Sequence, residues 1–122
     1  KSKEKIMLER EVYDTITYCA DGKCAIVWVT LDMLKSLNIG EDEIEGLASI
    51  PRQIEGVLIG ITMKEKEGGF FKISVRTNGN IDAAKFCSRF GGGGHKAAAG
   101  CSVNGSLEDV RSQLIKAAEE TL

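Results

Sequence analysis

Four consecutive glycines, residues 91–94, constrain this chain more than any other stretch. Glycine has no side chain to pack and loses more backbone entropy on folding than any other residue, so a folded domain needs a reason for such a run. Flexible linkers are often Gly-rich, but here Phe90 precedes the run and the small apolar segment 97–100 follows it. Both ends are therefore predicted to be tied into a core. Glycine turns of this kind can align backbone amides toward an anion, with no Cβ in the way.

The residues around the glycines favour anion binding. His95 and Lys96 follow directly and place an imidazole and an ammonium at the edge of the run. Five Lys or Arg residues lie between positions 68 and 107, against one acid, although the net charge of the whole chain is −2. The chain therefore has no global field that attracts nucleic acid, and its positive charge is concentrated around the glycines. Chance clustering on a solvated surface is the alternative.

Length and composition indicate one domain, residues 1–122, that is large enough to bury its own core. No segment approaches the ~20 apolar residues that span a bilayer, and the charged N-terminal residues do not resemble a signal peptide. The four cysteines form no C-x-x-C pair, so free buried thiols in a reducing, cytoplasmic setting are expected. The single histidine is not spaced to join a cysteine pair in a zinc site.

The hydrophobic pattern predicts an α/β fold with a mixed sheet of about five strands flanked by helices. The predicted strands are 14–19, 24–29, 56–63, 71–76 and about 98–103, and the predicted helices are 3–13, 31–37, 83–89 and one from residue 107. Helical turns are expected between residues 41 and 47, and a charged loop is expected over 64–69. Thr30, Asp82 and Ser106 are in position to cap helices.

One predicted strand alternates between apolar and polar side chains. Phe71, Ile73 and Val75 point to one face, so Lys72, Ser74 and Arg76 point to the other. Arg76 therefore leaves the polar face near the end of its strand.

The sequence shows a binding site and no complete catalytic site. It contains no Asp-His-His motif, no closely spaced aspartates, no P-loop and no assignable Ser-His-Asp triad. We therefore name no catalytic residue and no metal ligand in this chain.

Several segments resemble the C-terminal half of the DHH-family phosphoesterases, which is the DHH-associated domain of the first type. They are 72–77, Ile81-Asp82, the stretch from Phe90 through the glycines to Lys96, and 98–100. Weaker similarities, in the same order along the chain as in the family, lie upstream at 21–23, 45–47 and 52–57. The resemblance therefore covers nearly the whole chain. It is strongest to the branch that contains nano-RNases and 3′-phosphoadenosine-5′-phosphate phosphatases.

The resemblance implies a two-lobed enzyme. An N-terminal lobe with the Asp-His-His motif would bind manganese and hydrolyse the substrate, and that catalytic lobe is absent from this chain. The associated lobe would hold the phosphate or nucleotide end of a short oligonucleotide. Its predicted binding residues here are Arg76, Gly92, Gly93, Gly94, His95 and Lys96, whereas Lys85, Arg89 and Arg52 are weaker candidates. This lobe alone is expected to hold no cofactor and to be inactive.

Rival interpretations remain open at this stage. The chain could be the same lobe of a cyclic dinucleotide phosphodiesterase or of a RecJ-type exonuclease, or a stand-alone module that binds nucleotides or RNA without catalysis. The sequence also leaves open whether two copies form a homodimer.

Overall fold

The computed structural model describes residues 1–122, and its four helices alternate with three pairs of strands. The helices are α1 (Lys3–Asp14), α2 (Leu31–Ser36), α3 (Ala83–Ser88) and α4 (Leu107–Thr121). The strands are β1 (Thr17–Cys19), β2 (Cys24–Val29), β3 (Ile59–Lys66), β4 (Phe70–Thr77), β5 (Gly93–Gly94) and β6 (Ala98–Asn104). Three short 3₁₀ turns at 41–43, 47–49 and 51–53 connect α2 to β3.

The strands form one mixed sheet in the order β1-β2-β3-β4-β6-β5. Only β2 and β3 pair in parallel, and every other neighbouring pair is antiparallel. The parallel pair is joined by the long connection through α2, because parallel neighbours cannot be linked by a tight hairpin. The predicted mixed α/β sheet is therefore confirmed, with the two-residue strand β5 as its sixth member.

The predicted helix caps are present. The hydroxyl oxygen of Thr30 accepts from the amide of Met33 at 3.1 Å, and a carboxylate oxygen of Asp82 accepts from the amide of Lys85 at 3.1 Å. The hydroxyl oxygen of Ser106 accepts from the amide of Asp109 at 3.2 Å. Each bond satisfies an amide that has no partner within its helix.

One face of the sheet carries the main core. Ile61, Met63 and Ile73 of the central strands pack there in a buried cluster of 18 residues, together with residues of α3 and α4. The apolar stripe predicted for the last helix is part of this cluster: Val110, Leu114, Ala117 and Ala118 are buried, and Leu107 packs against them. The predicted alternation of β4 is confirmed, because Phe71, Ile73 and Val75 all lie in the core.

The other face is covered over only part of its width. A second cluster of nine buried residues joins α1, α2 and the 3₁₀ turns to Val27 and Val29 of β2. The turns extend this cover over β3, where the hydroxyl of Thr62 donates to the carbonyl oxygen of Leu47 at 3.4 Å. Over β4, β6 and β5 the same face presents Lys72, Ser102 and other polar or small side chains, several of which are exposed.

Two predicted boundaries are wrong. The strand expected at 56–63 lies at 59–66, and residues 64–66 belong to it rather than to the expected charged loop. They stay in the strand because they pair with β4, Lys64 opposite Lys72 and Lys66 opposite Phe70, which leaves a turn of three residues. The first strand is also shorter than expected, since α1 continues to Asp14 and β1 begins at Thr17.

All four cysteines are free thiols, as expected, and they lie in two pairs. Cys19 and Cys24 are directly opposite in β1 and β2. A hydrogen bond between these thiols lowers the pKa of Cys19 and, together with burial, raises the pKa of Cys24. Cys87 and Cys101 interact in the same way beneath the glycine run, where the pKa of Cys87 is raised.

No helix in the structure combines the length and the apolar character that crossing a membrane requires.

Candidate functional site

Arg76 and His95 lie in one row across the uncovered face of the sheet. Arg76 of β4 is directly opposite Ala98 of β6. On the other side of Ala98, the amide of His95 donates to the carbonyl oxygen of Ala98 at 2.8 Å, and the amide of Ala98 donates back at 3.3 Å. Residues that exchange both bonds are directly opposite and share a face. Arg76 and His95 therefore flank a small alanine, about 10 Å apart at their backbones.

Gly91 and Gly92 end helix α3. The amide of Gly91 donates to the carbonyl oxygen of Ser88 at 3.1 Å, and that of Gly92 donates to Cys87 at 3.0 Å. These two bonds form a Schellman cap, which places a residue of left-handed conformation just after the helix. Gly91 has this conformation, with φ of 78°.

Gly92 and Gly94 approach the backbone of β6 too closely for any side chain. A Cβ on Gly92 would lie 2.2 Å from the carbonyl oxygen of Gly100, and one on Gly94 would lie 2.6 Å from the Cα of Ala99. Packing against β6 therefore requires both glycines whether or not a ligand binds.

Gly93 differs from the other glycines of the run. A Cβ built on it would have no neighbouring atom within 4 Å, and its φ is not in the left-handed region. It is opposite Gly100 of β6, which in turn is opposite Ser74 of β4. Gly93, Gly100 and Ser74 thus form a small-residue floor. This floor adjoins the row of Arg76 and His95 and leaves space above the backbone.

The amides of the run are not all available to an anion. The sequence suggests that residues 92–94 donate together to phosphate oxygens, but the Gly92 amide is already bonded to Cys87. Hydrogen-bonded and non-hydrogen-bonded pairs alternate in an antiparallel ladder. Because His95 and Ala98 form a bonded pair, Gly94 and Ala99 form the next, non-bonded pair. The Gly94 amide is therefore directed away from β6, toward the free edge of the sheet.

The turn that carries His95 and Lys96 is held by its own backbone. The carbonyl oxygen of Lys96 accepts from the amide of Ala83 at 2.6 Å and from the hydroxyl of Thr77 at 3.1 Å. The amide of Thr77 donates to Ala97 at 3.0 Å. The side chains of His95 and Lys96 are exposed, so a fixed backbone presents two donors to solvent.

Arg76 has no acidic partner. The three salt bridges of the structure are Lys1–Glu9, Lys66–Glu41 and Arg89–Glu120. Arg76, His95 and Lys96 belong to none of them. No carboxylate therefore forms a salt bridge with Arg76, His95 or Lys96.

The sequence of residues 21–122 matches the DHHA1 domain family. The chain belongs to this family. The match includes β2 to α4 and hence every residue of the row and of the floor, so the predicted resemblance to the associated domain of DHH phosphoesterases is confirmed.

Relatives of the DHHA1 domain are longer proteins. A bifunctional oligoribonuclease and PAP phosphatase, NrnA, from Thermus thermophilus is 29% identical over 83 residues, which are 67% of this chain and 25% of that protein. An exopolyphosphatase-related protein from Bacteroides fragilis superposes on 98% of this chain and 36% of its own, with a TM-score of 0.86 and 23% identity. PggH, a pGpG-specific phosphodiesterase from Vibrio cholerae, covers 98% of this chain and 40% of its own, with a TM-score of 0.66 and 14% identity. The chain thus spans from a quarter to two fifths of these relatives.

The weaker candidates take separate places in this DHHA1 domain. Arg89 is paired with Glu120, whose pKa it lowers by hydrogen bonding, and it also donates to the carbonyl oxygen of Ala117 at 3.3 Å. Arg89 and Lys85 line a depression of about 650 Å³ between α3 and the end of α4. This depression includes neither Arg76 nor the glycine run. Arg52 is closer to the row, because its backbone covers Gly60, which is opposite Arg76.

Two further lysines, outside the predicted site, lie on the same face of the sheet as the row of Arg76 and His95. Lys72 lies on the polar side of β4 with Arg76, and Lys64 is opposite it in β3. The alternation of β4 already indicates the direction of Lys72, so that signal was present in the sequence. Lys64 lies in a segment whose charges predict a loop, so its position opposite Lys72 does not follow from the local sequence pattern.

No three His, Cys, Asp or Glu side chains of this DHHA1 domain come together as a metal site. The residues present therefore do not fit a manganese centre, and we assign no metal-dependent step to them.

Proposed function

We propose that this DHHA1 domain is the substrate-binding lobe of a phosphoesterase and that it holds the terminal phosphate of a short oligonucleotide or small nucleotide. The observation that carries the proposal is the row of Arg76 and His95 beside Gly93. Two donors without acidic partners share one face, and between them the side chains are small enough for a ligand to reach the backbone.

Each residue has a role that its chemistry suits. Arg76 offers a planar, permanently charged group that can bind phosphate through two parallel hydrogen bonds. His95 donates to a phosphate oxygen, most strongly in its protonated form. Gly93 leaves room for the ligand, Gly94 supplies an outward amide, and Lys96 adds positive charge. Gly92 supports the site by holding the run against β6.

The descriptions of the relatives support a nucleotide substrate. NrnA is described as an oligoribonuclease and PAP phosphatase, and PggH as a phosphodiesterase specific for pGpG. Both descriptions name nucleotide substrates, oligoribonucleotides or PAP for the first and pGpG for the second. Hydrolysis, and the manganese that supports it, are proposed to belong to an N-terminal DHH lobe that would close over the uncovered face of the sheet.

A nuclear magnetic resonance titration of the labelled chain with a 5′-phosphorylated dinucleotide tests the proposal. We expect shifts at Gly93, Gly94, His95 and Arg76 that do not depend on added manganese. Half a cleft offers few contacts, so a dissociation constant near 1 mM is expected, which corresponds to about 4 kcal/mol. Shifts confined to the depression beside Arg89, or none at millimolar ligand, would contradict the proposal.

Matched variants separate the site from the fold. Gly93→Val should abolish the shifts because its side chain occupies the ligand space, whereas Arg10→Met, on the exposed side of α1, should leave them unchanged. Normal binding by Gly93→Val would show that the ligand does not approach the backbone there.

A further inference from the structure

A second group of cations lies beyond the row of Arg76 and His95. Lys64 of β3 and Lys72 of β4 are directly opposite, on the face that does not carry the main core. Lys72 is also opposite Ser102 of β6. Three residues of β4 separate Lys72 from Arg76, and the four steps along the strand amount to about 13 Å. Ser74 lies between them, so the small-residue floor continues from the row to the two lysines.

The two lysines are not neutralised. Neither takes part in a salt bridge, whereas the next lysine on that face of β3, Lys66, pairs with Glu41 at 2.9 Å. Burial lowers the pKa of Lys64, and the positive charges of Lys72, Lys66 and Arg76 lower it further, against a smaller opposing effect of Glu45. Like charges are therefore held together at a cost that a bound anion would offset.

We propose that Lys64 and Lys72 bind a second phosphate of the substrate. Because about 13 Å of strand separates Lys72 from Arg76, this phosphate is not the one next to the terminal phosphate but one farther along, and the preferred ligand is a single-stranded oligonucleotide of three or more nucleotides. The inference rests on the proposed function, because the terminal phosphate is assigned to Arg76 and His95. The backbone of the ligand then runs along β4 over Ser74. Charge complementarity favours this occupant, since phosphates recur along such a chain and lysine binds phosphate as a point charge.

The test compares ligands that differ in their number of phosphates. Affinities of this chain are measured for a nucleoside 5′-monophosphate and for a 5′-phosphorylated tetranucleotide, using the unsubstituted chain and Lys64→Gln/Lys72→Gln. We expect the unsubstituted chain to prefer the tetranucleotide by about tenfold, or about 1.4 kcal/mol. The double variant should lose this preference and still bind the monophosphate normally. For the tetranucleotide, the slope of log affinity against log salt concentration should become less steep by about 0.7 for each lost phosphate contact.

The control is Lys116→Gln, an exposed substitution on α4, which packs against the opposite face of the sheet. It should keep the preference for the tetranucleotide. An equal loss of affinity for both ligands in the double variant would place the lysines on the terminal phosphate and overturn the proposal. Unchanged affinities would also overturn it, because they would show that the lysines do not contact the ligand.

The two proposals fail in different ways. If the unsubstituted chain binds both ligands equally and Arg76→Met weakens both, the second phosphate site is wrong and the proposed function stands. If the unsubstituted chain binds neither ligand, the proposed function is contradicted and the second site with it.

Discussion

The two halves of one sheet face differ in what covers them. Over β2, the side chains of Val27 and Val29 are apolar and are buried beneath α1, α2 and the 3₁₀ turns. Over β4 and β6, residues with the same outward direction are charged, polar or small, and Arg76 and Lys72 are among them. Because the pleat directs both sets of side chains alike, the difference lies in residue type. The apolar side chains are covered by other parts of the chain, whereas several of the charged and polar side chains stay exposed to solvent.

The largest expected effect lies in the covered half. Leu8 of α1 is fully buried in the second cluster, and Leu8→Ala should lower the free energy of unfolding by about 2–5 kcal/mol. Denaturant titration measures the loss. A change below about 1 kcal/mol would show that α1 contributes little to the cover, since buried Leu→Ala substitutions ordinarily cost more.

A contrast between neighbouring glycines comes next. Gly92→Ala forces a Cβ against the carbonyl oxygen of Gly100 and should cost about 1–3 kcal/mol of stability through overpacking. Gly93→Ala meets no atom and should stay within about 0.5 kcal/mol of the unsubstituted chain, as surface substitutions do. Thermal denaturation of the two variants compares them directly. Equal losses would contradict the assignment of separate roles.

Arg76→Met should affect binding far more than folding. The lost charged hydrogen bonds should weaken nucleotide binding by about 1.5–3 kcal/mol, while stability stays within about 0.5 kcal/mol because Arg76 has no salt-bridge partner. Nuclear magnetic resonance titration, which follows millimolar binding, and denaturant unfolding measure the two effects. A large loss of stability would assign Arg76 to the fold rather than to the site.

The smallest effect concerns pH. Because the pKa of Lys64 is lowered in the folded chain, the unfolded chain binds more protons between that lowered pKa and the usual pKa of lysine. Stability should therefore rise with pH across this window. Below it, Lys64→Gln should be more stable than the unsubstituted chain by about 0.3 kcal/mol, since the site is half exposed and screened. The advantage should disappear as the pH passes the usual lysine pKa, and a constant advantage would exclude charge repulsion as its cause.

Much of the fold is predictable from local pattern. The alternation of β4, the apolar run of β2 and the capping residues Thr30, Asp82 and Ser106 each depend on near neighbours in sequence, and the structure confirms them. The extent of β3 is not predictable in this way. Residues 64–66 are charged like a loop, and only pairing with β4 keeps them in a strand. That information lies in the partner strand.

The candidate site is likewise predictable only in part from the local sequence. The sequence identifies Arg76, His95 and the glycines as a group, but it does not assign different tasks to the glycines. The separate roles of Gly92 and Gly93 depend on the position of β6, which follows both in the chain. The proximity of Lys64 to Lys72 likewise depends on the register of β3 with β4.

The turn between β5 and β6 constrains the number of residues between His95 and Ala98 as well as their types. His95 shares a face with Arg76 only because two residues, Lys96 and Ala97, separate it from its partner Ala98. Side chains alternate between faces along a strand, so slipping one residue in register moves a side chain to the opposite face. Inserting one residue between His95 and Ala98, or deleting Ala97, would thus remove His95 from the row without substituting any other residue. This segment should tolerate changes of sequence at Ala97 better than any change in its number of residues.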